Sequence, residues 1–168
     1  YKLDKGVSFN YGVTAPEAEV LLEQTDVVNH PWLLDDNYII AYLNREAKSE
    51  FVKCQDEYSR YDAEDDRYIA EIKVRNKDYS DCLIEYEKFD NNIEYANETD
   101  KEFLYIVATN RDIYVFNVSR LLKDGYDFKW EWKSLHRNSQ FGGYEDKIDK
   151  QVGYINSSKA SVRYNYKP

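Results

Sequence analysis

The stretch Ser59-Arg-Tyr-Asp-Ala-Glu-Asp-Asp-Arg-Tyr-Ile-Ala-Glu-Ile-Lys-Val-Arg75 decides how this chain is read. Asp62 closes one extended segment, an acidic turn over 63–66 follows, and Glu71 and Lys73 fall inside a second extended segment. Side chains two apart on a strand share a face. Arg67, Ile69, Glu71, Lys73 and Arg75 therefore point one way, and Tyr68, Ala70, Ile72 and Val74 point the other, toward a core. Two carboxylates and an ammonium on the polar face of a hairpin suit a divalent metal and a phosphate.

Upstream of this hairpin, Gly6, Gly12 and Pro16 punctuate a loose start. Thr14-Ala-Pro-Glu17 has the N-cap, early proline and first-turn acid of a helix start, and predicts a helix ending near Val28. Asp35 or Asp36 caps a second helix of about a dozen residues, with Ile40, Leu43 and Ala47 at helical spacing. Phe51 to Tyr61 reads as extended. Downstream, Asp78 or Ser80 is expected to cap a third helix carrying Leu83, Tyr86, Phe89, Ile93 and Ala96 on one stripe. Phe103–Ala108 is a short apolar run and reads as a buried strand, with Ile113–Val118 as its hairpin partner across Asn110-Arg-Asp112. Phe128, Trp130 and Trp132 alternate with charged residues as a half-buried strand. A loop is expected over 138–143, and the tail after Gln151 carries too little periodicity to assign. The order predicts an α/β fold, bordering on α+β, with one central mixed sheet flanked by helices.

At 168 residues the chain reads as a single domain, 1–168, long enough to bury a core. Residues 119–168 read as a C-terminal strand and basic extension. Net charge is −9, with 13 basic and 26 acidic residues over 1–117 against 10 and 6 over 118–168. An acidic protein does not attract nucleic acid by its overall field, so a phosphate-binding surface is expected in the basic third. No apolar run is long enough to span a bilayer and no signal peptide is visible. Cys54 and Cys82 lie in apolar-periodic segments, which favours reduced thiols and a cytoplasmic protein over a disulfide. They and His30 and His136 lack zinc spacing. The 17 tyrosines suit half-buried sheets, and Trp130 and Trp132 sheet packing, more than base stacking.

Several acid-x-Lys triplets occur, among them Glu46-Ala-Lys48, Asp127-Phe-Lys129, Glu131-Trp-Lys133 and Glu145-Asp-Lys147. Glu71-Ile-Lys73 alone combines a strand, an apolar opposite face, an upstream aspartate across a turn and a downstream amphipathic helix. Glu131-Trp-Lys133, also on an expected strand, is its rival. A Glu and a Lys two apart on an exposed strand otherwise form a surface ion pair worth little.

Tyr61-Asp62 and Glu71-Ile-Lys73, followed by a helix and the Phe103–Ala108 strand, resemble the PD-(D/E)XK nuclease superfamily with its restriction-endonuclease-like core, over roughly residues 36–118. The sequence departs from that pattern in having tyrosine before the aspartate, a short gap from Asp62 to Glu71, and one comfortable strand before Asp62 where two are usual. Asp56 and Asp66 are the alternative aspartates. The resemblance implies metal-dependent hydrolysis of phosphodiester bonds, with DNA as the expected substrate. It implies Mg²⁺ or Mn²⁺ held by Asp62, Glu71 and the Ile72 carbonyl, and Lys73 orienting water or stabilising the transition state. A helix glutamate, Glu46 ahead of Glu50, would complete the catalytic set. Lys88 and Arg75 would contact nucleic acid, and a homodimer is an assembly this reading admits. The alternative is a non-catalytic domain of a similar scaffold that binds protein or nucleic acid.

Overall fold

The computed structural model describes residues 15–136 and 147–166. Its centre is strand β3 (Tyr68–Val74), which matches the expected strand from end to end. Its predecessors are short: β1 (Val52–Lys53) pairs antiparallel with β2 (Ala63–Glu64), and β2 antiparallel with β3. β5 (Glu102–Ala108) runs parallel to β3 along its whole length, and β6 (Asp112–Asn117) returns antiparallel. β9 (Val162–Asn165) closes the far edge, giving six strands in the order β1-β2-β3-β5-β6-β9. The fold is thus mixed α/β, with a mixed central sheet flanked by helices.

Helices cover both faces of this sheet. Helix α1 (Ala15–Gln24) ends four residues before Val28, and the Thr14 cap lies outside the described residues, as does the loop expected over 138–143. Helix α2 (Asp36–Glu46) is capped by Asp35, whose side chain accepts the Tyr38 N–H at 2.9 Å. It buries Ile39, Ile40 and Leu43 against Ala70, Ile72, Leu104 and Ile106. On the other face lies helix α3 (Tyr86–Glu98), with Phe89, Ile93 and Ala96 against Ile69, Phe103 and Tyr105. A last short helix, α4 (Val118–Lys123), was not foreseen; Asn117 caps it by accepting the Arg120 N–H at 3.0 Å.

Two expectations are corrected here. The segment expected to open the third helix is instead strand β4 (Asp81–Glu85), and the helix begins only at Tyr86. Cys82 and Ile84 alternate inward because β4 pairs with β8 (Lys147–Asn156), some 70 residues downstream. A distant ladder overrides the local 3.6-residue pattern. Second, β4, β8 and β7 (Glu131–His136) make a separate three-stranded antiparallel sheet over the α3 face, so a second sheet accompanies the central one. Phe128 and Trp130 precede β7 rather than forming it: they stack on each other with centroids 5.1 Å apart and pack against Phe89. Gly153 on β8 makes room for that indole, since a Cβ there would come within 3.0 Å of Trp130. Phe51–Tyr61 holds only the two-residue β1. The C-terminal residues add β8 to one sheet and β9 to the other.

Candidate functional site

The site forms where a ladder runs out. β2 pairs with β3 only as far as Ala63 opposite Ala70, reinforced by the Asp62 N–H donating to the Ala70 carbonyl at 2.9 Å. One step on, the Ile72 N–H has no β2 residue to meet and donates to Asp62 Oδ2 at 2.7 Å. Asp62 therefore stands at the start of β2, and its carboxylate replaces the missing strand. Backbone groups of alternate residues face the same neighbour, so the Ile72 carbonyl points to this same open edge.

Glu71 is not on a polar face, contrary to expectation. It is 2 % exposed, because α3 and the second sheet cover the β3 face that bears Ile69 and Glu71. Its Oε1 lies 3.6 Å from Lys73 Nζ and 3.5 Å from Lys88 Nζ, while buried Oε2 has no hydrogen-bond partner among the described residues. Burial, and then the Asp62 charge, push the Glu71 carboxyl up to about 7, with Lys73 and Lys88 pulling the other way. Taking a carboxylate out of water disfavours its charged form, and a like charge nearby adds to that.

A third carboxylate arrives from the opposite side. Asp36, in the first turn of α2, is pushed up to about 6, first by burial and then by Asp62, against Lys53 and Lys73. An acid there also meets the positive end of the helix dipole. The helix acid at the site is thus Asp36 and not Glu46, which sits ten residues further on, about 15 Å along the axis, paired with Arg45 at 3.0 Å. Glu50 lies in the loop beyond that helix end. Asp56 accepts the Tyr58 N–H in the β1–β2 loop and Asp66 is exposed in the β2–β3 turn, so neither replaces Asp62.

The structure therefore brings together Asp62, Glu71, Ile72, Lys73 and Lys88, and adds Asp36. Asp36 carried a signal, an acid opening the helix before the hairpin, but it was read as a cap. Arg75 lies one residue past the end of β3, on the wall of a cavity between the two sheets. Glu131-Trp-Lys133 is on edge strand β7, with Trp132 70 % exposed. Cys54 and Cys82 are both free thiols, and burial pushes Cys82 up to about 11. Among the described residues, no three His, Cys, Asp or Glu side chains cluster tightly enough to cage a metal ion, and no helix is long and apolar enough to cross a membrane. No family model matches the chain, and neither curated proteins nor solved structures provide a match.

Proposed function

We propose that this protein is a metal-dependent nuclease of the PD-(D/E)XK type, hydrolysing phosphodiester bonds in DNA. The observation that carries the reading is the buried, half-unsatisfied Glu71 carboxylate held with Asp62 at the one gap in the β2–β3 ladder, between two ammonium groups. Burying like charges together is costly unless something compensates them. The succession α2, β1, β2, β3, β4, α3, β5, with β3 and β5 parallel and β4 turned into the second sheet, supports the same reading over residues 36–108.

The donor set fits Mg²⁺ or Mn²⁺ better than a metal that needs a full protein cage. Mg²⁺ is commonly held by one or two carboxylates and keeps several waters. Glu71 Oε2, the Asp62 oxygen not engaged by Ile72, and the Ile72 carbonyl would hold it, with Asp36 behind them. When bound, the ion supplies a more acidic water and neutralises charge on the phosphate. Lys73 orients the attacking water and stabilises the charge that develops on the phosphoryl oxygens. Lys88 holds the Glu71 carboxylate from α3 and offers a second cation to the phosphate. Burial and the Asp62 charge raise the proton affinity of Glu71 and of Asp36, which suits a group that must pass a proton near neutral pH. The free thiols suit a reducing, intracellular setting.

A competing reading, a non-catalytic binding domain, draws on the absence of a three-residue metal cluster among the described residues and on the ion pairs that already engage Glu71. One experiment separates the two. Plasmid, linear duplex and single strands are incubated with Mg²⁺, Mn²⁺ or EDTA, with wild type beside Lys73→Ala. Metal-dependent cutting by wild type that is lost in the variant is the expected result. No cutting by either, with no metal-induced rise in melting temperature, sinks the nuclease reading.

A further inference from the structure

Beyond the candidate site, the same face of the central sheet opens into a cavity of about 550 Å³ between the two sheets. Arg75 follows the end of β3, its N–H still bonded to the Ala108 carbonyl, two residues and about 7 Å from Lys73 in extended chain, so the cavity begins about one nucleotide step from the chemistry. Its floor is apolar, with Cys82, Leu83 and Val107. One rim carries Arg75 and Lys77, and the facing rim is β7, which contributes Lys133. Lys133 Nζ lies 3.1 Å from the Tyr154 hydroxyl and 5.8 Å from the centre of its ring. Tyr79, half exposed, lines the same space.

The acids in this cleft have partners of their own, neutral donors for Asp78 and Asp81 and a cation for Glu85. Asp78 accepts from the Tyr114 hydroxyl at 3.2 Å, Asp81 from the Asn156 amide at 3.0 Å, and Glu85 is ion-paired with Lys150 at 3.1 Å. Arg75, Lys77 and Lys133 have no carboxylate in ion-pair contact among the described residues. The wall formed by β7 and β8 belongs to the basic third of the chain, which carries 10 basic and 6 acidic residues in a protein of net charge −9. An apolar floor, tyrosine rings and rim cations with no carboxylate partner among the described residues match an anion with a flat apolar body. The volume lies within the range of pockets that enclose small organic ligands.

We propose that this cleft receives one unpaired base of the nucleic-acid substrate, with Arg75, Lys77 and Lys133 gripping the flanking phosphates. The identity of the ligand rests on the nuclease reading. Bases in a duplex are stacked and paired, so only a single strand, a frayed end or an extruded nucleotide can enter. The substrate class is therefore single-stranded nucleic acid or a junction with an unpaired stretch. Sequence-tolerant stacking on tyrosine together with phosphate contacts is how single strands are held.

The test is binding without catalysis. A fluorescently labelled single strand of about ten nucleotides, and the blunt duplex of the same sequence, are titrated in EDTA at one fixed salt concentration. Wild type, Glu131→Gln and the double variant Tyr79→Ala with Lys133→Glu are compared by anisotropy. Both cleft positions are exposed, and matching melting temperatures confirm that the variants fold. The single strand is expected to bind at least about tenfold tighter than the duplex. The cleft variant should lose that advantage, and Glu131→Gln should keep it within about threefold. Equal affinity for duplex and single strand, absence of binding, or undiminished binding by the cleft variant overturns the proposal. Cleft-dependent binding without metal-dependent cutting would remove the nuclease reading and leave the cleft as a nucleic-acid site. Metal-dependent cutting that Lys73→Ala abolishes, with binding indifferent to the cleft variant, would remove this inference alone.

Discussion

Two triplets with identical spacing, Glu71-Ile72-Lys73 and Glu131-Trp132-Lys133, both lie on strands and have opposite fates. The first is on a strand with neighbours on either side and helices over both faces. The second is on the outer strand of a three-stranded sheet, hydrogen-bonded to β8 alone. Ile72 is 5 % exposed and Trp132 is 70 % exposed. Burial of Glu71 and the nearby Asp62 charge push its carboxyl up to about 7, against the pull of Lys73 and Lys88. Glu131 keeps its water. The spacing of a motif puts two side chains on one face; how many elements converge on that face decides whether they acquire reactive character.

The largest expected difference between the triplets is in activity. Glu71→Gln should lower metal-dependent cleavage by about a hundred- to a thousandfold, as removal of one electrostatic contributor does elsewhere, while Glu131→Gln leaves the cleavage rate unchanged in the same gel assay. Equal rates for the two variants would erase the distinction.

The next effect is on stability. Glu71 has a folded-state pKa of about 7 against an ordinary 4.5, so between those values the folded protein holds a proton that the unfolded chain has released. Stability is then fully present below about pH 4.5 and is lost as pH rises through 7, by up to about 3 kcal/mol. Asp36 adds a loss in the same direction, complete by a little above pH 6. Urea denaturation of wild type and Glu71→Gln at several pH values isolates the Glu71 part. The variant should lack it, and identical slopes would show that Glu71 is hydrated after all.

Asp62→Ala leaves the buried Ile72 N–H without its acceptor and should cost about 1–3 kcal/mol, read as a lower melting temperature. The same change removes a charge that raises the Glu71 pKa, so the pH-dependent loss should move to lower pH. Unaltered stability would mean that Asp62 does not complete the ladder. The smallest effect belongs to Glu131→Ala on the exposed strand, expected within about 0.5 kcal/mol of wild type. A larger loss would show that the outer sheet depends on its surface charges.

Much of this arrangement was legible in the residues. Tyr68–Val74 alternates cleanly and is bounded by turn residues, so its limits could be read directly. Asp35 announces α2 as a helix cap, and the Phe103–Ala108 run announces β5. β4 was misread because Leu83, Tyr86 and Phe89 mimic a helical stripe, while the strand partner that fixes Asp81–Glu85 lies in β8, invisible to any local window. Asp36 was passed over because a first-turn acid is an ordinary helix feature, and nothing local says that it faces Asp62.

The sequence by itself determined the placement of Asp62, Glu71 and Lys73 along a hairpin, the apolar strip behind them, and the helices before and after. Those depend on the two-residue period of a strand and the chemistry of caps, which act over a few residues. Only the tertiary structure decided that Glu71 is buried, that Lys88 reaches it, that Asp36 lies in the field of Asp62, and that Asp62 fills the end of a truncated ladder. Each of those depends on which distant elements stack on β3. Desolvation, the largest influence on the Glu71 and Asp36 carboxyls, is a property of that packing and has no counterpart in the order of residues.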